Sequence, residues 1–228
     1  MDIIFVLVKP AVPENIGAAA RAIKTMGFSQ LRVVASDQHR AKPASILAHG
    51  AREVLEQAES FASLPEALAD IDFSIATSAK SRLGRRYSYS ADQLSAQLQD
   101  KQQHLQRVAV VFGCEEAGLS NEQLDYCDSL SYVPIANSYP SLNLGQAVMI
   151  YAYSLTALAE AQSATDIPVE QWAHLKNRSI DYLQYLDFKP QSKLYRWAME
   201  RLAVADSGDI NFLHLLLNRL TEKQSKNK

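Results

Sequence analysis

Read from its start, the chain sets short, densely apolar runs against longer stretches in which apolar residues recur every three or four positions. The runs are Asp2–Val8, 31–35, 73–77, Arg107–Phe112 and 130–133. Their length and lack of alternation suit buried parallel strands. Helix patterns stand between them. Residues 14–26 form one, with Gly27 as its stop. Residues 41–55 form a weaker one, with Pro43 in its first turn. Ser63 caps a short helix that carries Pro65 in its first turn and Glu66 at the capping-box position. Ser90 caps a helix over 91–99, and Ser120 caps one through Tyr126 with Gln123 at the box position. Strand and helix in alternation predict an α/β fold with a mainly parallel sheet and helices on both faces.

The last helix of this series, residues 143–161, carries Leu144, Ala147, Val148, Tyr151, Ala152, Leu155 and Leu158 at helical spacing. Met149, Ile150 and Tyr153 fall on its other sides, so it is apolar nearly all round. Such a helix is buried, inside its domain or against a partner. With the alanine-rich helix 14–26 it is expected to form a two-fold interface. Residues 162–168 are mostly polar and end in Pro168, the pattern of a linker. Three helix-like segments follow, over 169–186, 191–205 and 209–221. The chain therefore divides into an α/β domain, residues 1–162, and a small all-helical C-terminal extension, residues 169–222.

The 228 residues suffice for one domain of moderate size plus an appendage. No apolar run reaches the roughly 18 residues that span a bilayer. The start, without a basic region or cleavage site, reads as a first strand rather than a signal peptide. Cys114 and Cys127 lack metal-ligand spacing and are too few for a disulfide framework, which fits a reducing cytoplasm. The five histidines (His39, His49, His104, His174 and His214) form no ligand set, so no metal is expected. Net charge is −2, and bulk electrostatics do not announce a nucleic-acid binder. The halves differ: residues 1–162 carry 13 Lys+Arg against 17 Asp+Glu, residues 163–228 carry 10 against 8. Lys80, Arg82, Arg85 and Arg86 place four cations within seven residues, a cluster that is either a solvated loop or a phosphate contact.

Two loops of unusual composition follow strand-like runs and precede helix-like ones. The first is Phe112-Gly113-Cys114-Glu115-Glu116-Ala117-Gly118-Leu119. The second runs from Pro134 through Ile135, Ser141, Leu142 and Asn143 to Gln146. Small and polar residues beyond strand ends are where an open α/β sheet binds a ligand.

Three motifs in this order carry a resemblance. They are Asn15-Ile16-Gly17, three alanines and Arg21-Ala22; then Gly113-x-Glu115-x-x-Gly118-Leu119; then Ser141-Leu142-Asn143-Leu144. Together they resemble the TrmH-type branch of the SPOUT methyltransferases, and within it the TrmJ-like tRNA/rRNA ribose 2′-O-methyltransferases. The run 15–27 and the loop Thr77-Ser78-Ala79-Lys80-Ser81-Arg82 strengthen the narrower match. The resemblance covers roughly residues 1–160.

The resemblance implies a C-terminal trefoil knot, S-adenosylmethionine bound in it, an obligate homodimer and an RNA substrate, tRNA ahead of rRNA. It implies cofactor contacts from Thr77, Ser78, Ala79, Lys80, Gly113, Ile135, Ser141, Leu142 and Asn143, with Gly113 letting the cofactor approach the backbone. It implies a reacting centre of Arg21, Asn15, Glu115, Ser141 and Asn143. Arg21, Lys80, Arg82, Arg85 and Arg86 are the expected RNA contacts, with Lys176, Arg178, Lys193 and Arg196 of the tail as further candidates. Guanidinium is not deprotonated in proteins, so Arg21 reads as stabilising the forming 2′-alkoxide rather than as a base. Cys114 stands where many relatives carry arginine, a departure that bears on the choice of RNA. The same residues have plainer readings: Asn15 and Asn143 as helix caps, Arg21 as a surface residue, Glu115 as a solvated carboxylate. Other readings are the same chemistry on rRNA, an RNA-binding protein without catalysis, and another nucleotide-binding α/β enzyme. The last lacks a phosphate loop or dinucleotide fingerprint.

Overall fold

A computed structural model describes residues 1–79, 88–102, 104–136, 141–161, 171–205 and 207–226. Its strands are β1 (Asp2–Val8), β2 (Gln30–Val34), β3 (Glu59–Phe61), β4 (Phe73–Ser78), β5 (Ser88–Ser90), β6 (Arg107–Phe112) and β7 (Ser129–Tyr132). They form one sheet in the order β3-β2-β1-β6-β4-β7-β5, and each pairing is parallel. The central strand shows why the runs lack alternation. Ile3, Phe5 and Leu7 of β1 enter one apolar cluster, while Ile4, Val6 and Val8 enter another on the opposite face. A strand buried on both sides has no polar face to display.

The first face is covered by α1 (Pro13–Thr25), α2 (Lys42–Leu47), α3 (Arg52–Glu56), α5 (Ala91–Asp100), α7 (Leu144–Ser154) and α8 (Thr156–Ala161). The second is covered by α4 (Leu64–Ala67) and α6 (Asn121–Asp125). Small residues set the spacing of the first layer. A Cβ on Gly17 would come within 2.2 Å of the Ala44 carbonyl oxygen, so α1 and α2 meet backbone to backbone there. The room beside Gly17 is thus filled by α2. A Cβ on Gly145 would lie 2.8 Å from the Ala18 Cβ, which brings α7 equally close on the other flank of α1.

The strand and helix pattern departs from expectation in four places. β3 and β5 were not predicted. Each is a three-residue edge strand with a single aromatic, so neither has an apolar run to detect. The expected helix 41–55 is two helices, parted at Gly50, whose φ of 78° a helix cannot accommodate. The expected helix 143–161 breaks at Leu155. The Thr156 hydroxyl donates to the Ala152 carbonyl at 3.2 Å, a competing bond that bends helices. Tyr153 is 71% exposed, so α7 is not buried all round.

The extension consists of α9 (Gln171–Tyr185), α10 (Lys193–Val204) and α11 (Ser207–Lys226). It shares the first apolar cluster through Trp172, Leu175, Leu202, Ile210 and Leu217. Trp172 packs edge-on to Phe73, at the start of β4, with ring centroids 5.5 Å apart. The buried Lys101 ammonium lies 4.8 Å and 5.1 Å from the centroids of those two rings and donates to the Ala203 carbonyl. Lys176 pairs with Asp128, just before β7, at 2.6 Å. These anchors all lie at the strand starts. Among the described residues no helix is long and apolar enough to cross a membrane.

Candidate active site

The opposite ends of β4, β6 and β7 surround a cavity of about 600 Å³, within the range of small-molecule sites. Thr77, Ser78 and Ala79 line it from the end of β4. Phe112 and residues 113–119 line it from the loop after β6. Val133 and Ile135 follow β7, and Ser141 and Leu142 lead into α7. Leu144, Ala147 and Tyr151 close the wall from α7 itself.

The loop after β6 is held in a tight fold. Gly118 N–H donates to the Cys114 carbonyl at 2.9 Å, and Gly118 has a φ of 67°. A Cβ on Gly113 would sit 2.1 Å from the Gly118 carbonyl carbon and 2.3 Å from Leu119 N. The loop folding over Gly113 demands glycine there, a demand separate from the close cofactor approach expected of this cavity-lining residue. Thr77 reaches the cavity, but its hydroxyl donates to the Val111 carbonyl at 3.0 Å and ties β4 to β6. Beneath, the Tyr151 hydroxyl donates to Ser131 Oγ at 3.0 Å, and Ser131 donates to the Tyr89 carbonyl at 2.9 Å. Burial raises the Tyr151 phenol above its ordinary range, so it serves as a neutral donor in the floor.

Glu115 does the joining. Its Oε2 accepts from Ala11 N–H at 3.0 Å, and its Oε1 accepts from Val12 N–H at 3.2 Å and from Asn15 Nδ2 at 3.0 Å. Val12 is the N-cap of α1 and has no capping side chain of its own. A carboxylate from the cavity loop instead ties down the two residues that lead into α1, at the end where the helix dipole favours negative charge. Burial pushes the Glu115 carboxyl up, but the bonds from Ala11, Asn15 and Val12 outweigh it and hold the group below its ordinary value.

Of the residues expected from sequence, Thr77, Ser78, Ala79, Gly113, Glu115, Ile135, Ser141 and Leu142 line this cavity. Asn143 does not. Its Oδ1 accepts from Gln146 N–H at 2.8 Å while Gln146 Oε1 accepts from Asn143 N–H at 3.0 Å, the capping box of α7. Asn15 bonds to Glu115 outside the lining. Arg21 is exposed on α1, also outside it. Lys80, Arg82, Arg85 and Arg86 lie outside the described residues. Leu144, Ala147 and Tyr151 were read only as core. Their spacing of three and four residues, on a helix that opens directly from a binding loop, was the signal that could have assigned them to the wall.

The chemistry of the lining is selective. Among the described residues its charged side chains are two carboxylates, Glu115 and Glu116, and the rest is small, backbone or apolar. This suits a ligand with an apolar aromatic part and positive charge, and does not suit a polyphosphate. Among the described residues no group of three or more His, Cys, Asp or Glu comes together.

Residues 2–153 match the model of the SpoU rRNA Methylase family. The chain belongs to the SpoU rRNA methylase family. Residues 169–224 match a second model, the C-terminal domain of the tRNA/rRNA methyltransferase LasT. Among relatives, the protein named "Uncharacterized tRNA/rRNA methyltransferase LasT" of Escherichia coli K12 is 40% identical over 228 residues, 99% of this chain and 100% of that one. The tRNA (cytidine-2′-O-)-methyltransferase TrmJ of Methanocaldococcus jannaschii is 36% identical over 151 residues, 66% of this chain and 65% of its own length. The crystal structure of TrmJ from Z. mobilis ZM4 superposes with a TM-score of 0.67 at 27% identity, covering 97% of this chain and 100% of that one. The SpoU match thus spans the domain that holds the cavity, and the LasT match spans the extension anchored at the other end of the sheet.

Proposed function

We propose that this SpoU methylase transfers a methyl group from S-adenosylmethionine to a ribose 2′-hydroxyl of RNA, with tRNA as the favoured substrate. The observation that carries this reading is the cavity: carboxylates are its charged groups among the described residues, and its other walls are apolar or small. Adenine would fit against Ile135, Leu142 and Leu144, and the cationic end of the molecule beside Glu116. The relatives' names support RNA as the acceptor. The division into residues 1–162 and 169–222, and a cytoplasmic site of action, belong to the same proposal.

When bound, S-adenosylmethionine supplies an electrophilic methyl on a sulfonium. Displacement there needs little covalent help from the protein. It needs the attacking oxygen about 3–3.5 Å away and in line. Ser141 is exposed on the rim and is suited to meet the ribose. Arg21 stabilises negative charge on the 2′-oxygen as its proton leaves to phosphate or water. Glu115 and Asn15 are positioning residues in this scheme, because they fix the start of the helix that carries Arg21. Asn143 acts likewise through α7.

Arg21 lies outside the cavity of its own chain, and this supports a homodimer. α1 stands between α2 and α7, whose outer surfaces expose Ile46, Leu47 and Tyr153. A second copy on that layer covers apolar surface and puts an arginine at the join, where it can serve the partner's cavity. The strand order also fits a trefoil knot, since β6 and β7 lie on opposite sides of β4. Calorimetry tests the cofactor half of the proposal. Binding of S-adenosylmethionine or its demethylated product to folded protein is expected, and no binding up to millimolar concentration would sink it. Nucleoside mass spectrometry of tRNA and rRNA from cells lacking the protein tests the acceptor half, by the loss of one 2′-O-methylated nucleoside.

A further inference from the structure

Lys176 and Arg178 of α9 are used internally: the first pairs with Asp128 at 2.6 Å and the second donates to Asn218 at 2.7 Å. α10 is different. Leu202 and Ala203 are buried, and Met199 packs against the core. Its outer face carries Lys193, Arg196, Trp197 and Arg201, each exposed. Lys193, Trp197 and Arg201 stand four residues apart, in line along the helix. Trp197 is 55% exposed and Leu194 beside it 44%. A large indole left in solvent between cations is out of keeping with the buried Trp172 of the preceding helix.

We propose that the outer face of α10 is an RNA-stacking platform, in which Trp197 stacks on an unpaired base while Lys193 and Arg196 hold the flanking phosphates. This rests on the RNA-methylating function proposed above and adds a second point of contact, on the extension rather than at the cavity. Stacking on an exposed aromatic with cations along the backbone track is how single-stranded RNA is gripped without reading its sequence. Charge decides the occupant. A symmetric contact between two copies would bring Lys193, Arg196 and Arg201 against the same three cations, with Glu200 the one carboxylate of each α10 to offset them. A phosphate backbone neutralises the same cations.

The two tryptophans supply the readout. Trp172 is buried and serves as an internal reference, while Trp197 reports the surface. A single-stranded RNA oligonucleotide titrated into the full-length protein at low salt is expected to quench the exposed component, and a fully paired RNA duplex is expected to do so much less. Trp197→Phe should abolish the quench. Trp197→Ala should weaken binding about five- to tenfold, at the low end of base–aromatic stacking. Lys193→Gln with Arg196→Gln should flatten the salt dependence by about 1.4 log units per log unit of salt, two single-strand contacts. S-adenosylmethionine affinity should not move in any of these variants. Unchanged Trp197 emission at saturation with an RNA that is methylated would overturn the platform and leave the methyltransferase reading intact. A shift of Trp197 emission with protein concentration alone would assign the face to a second copy and overturn it as well. Failure of any RNA to bind or accept methyl would overturn both.

Discussion

At the strand starts, buried charge is matched by opposite charge or by aromatic rings and a carbonyl. Arg32, on the second face, donates to the two Asp70 oxygens at 2.7 and 2.9 Å and to Glu59 at 2.9 Å, and Asp70 also pairs with Arg107. Lys101 is enclosed by Phe73, Trp172 and the Ala203 carbonyl, and Asp128 accepts from Ser74 and pairs with Lys176. At the other ends of the same strands the loops are short of large side chains, and a cavity of about 600 Å³ stays open between them. The polar groups there bond to backbone or helix ends: Thr77 to Val111, Glu115 to Ala11 and Val12, Asn143 to Gln146. One end spends its polar groups on closing the core. The other spends them on shaping loops around a space. Stability and ligand binding are therefore separable along the length of a strand, and variants at the two ends should show it.

The largest effect is expected at the closed end. Trp172→Ala should cost about 3–5 kcal/mol in denaturant unfolding, the usual range for a buried aromatic. The folded fraction should keep its S-adenosylmethionine affinity. Equal losses of both would erase the contrast between the ends. Next comes Gly113→Ala, where the added carbon meets backbone that cannot step aside. It should cost about 1–3 kcal/mol, with cofactor affinity by calorimetry falling at least tenfold as the loop is displaced. Wild-type affinity in this variant would mean that the loop does not shape the site.

Glu115→Ala is expected to be milder. Leaving the Ala11 and Val12 N–H groups without this acceptor should cost about 1 kcal/mol. Methyl transfer at saturating substrates should fall more than cofactor affinity, because the helix carrying Arg21 loses its fixed start. A loss of cofactor affinity alone would make Glu115 a direct ligand rather than a positioning residue. The smallest effect is the pH dependence of the same clamp. The Glu115 carboxyl is held below its ordinary value of 4.5, so its contribution is complete above that pH and fades as pH falls through and below it. Hydrogen exchange at Ala11 and Val12 should report that loss in the wild type. The Glu115→Ala variant should lack this acid-dependent step.

Much of the frame was legible in the residues. The bounds of β6 agree with its apolar run, and the Ser120–Gln123 box forms as patterned, with Gln123 N–H on Ser120 Oγ at 3.2 Å. Ser63 likewise accepts from Glu66 N–H. These are local signals, made by residues within one turn of each other. The edge strands β3 and β5 were illegible because three residues are too few to show a period, and partners distant in the chain define them. The part played by Glu115 was illegible for a related reason. Its partners Ala11 and Val12 stand 104 and 103 residues away, and only the parallel pairing of β1 with β6 brings them together. Gly113 was marked for a ligand, and the further demand made on it by Gly118 and Leu119 was illegible. The sequence motif grouped Arg21 with the cavity residues, whereas the fold sets it on an outer helix face, a distinction that spacing along one chain cannot express.

The account centres on methyl transfer to a ribose oxygen, and one comparison reaches it directly. An RNA that accepts a labelled methyl group from S-adenosylmethionine is first mapped to the accepting nucleotide by nuclease digestion and mass spectrometry. The same RNA is then made with a single 2′-deoxy nucleotide at that position and assayed with wild-type protein and with Arg21→Ala. The 2′-hydroxyl is the acceptor, so the deoxy RNA should bind within a few-fold of the parent and accept no methyl. Arg21→Ala should lower the rate on the parent RNA at saturation. Methyl transfer to the deoxy RNA, with the label found on a base, would contradict the 2′-O chemistry.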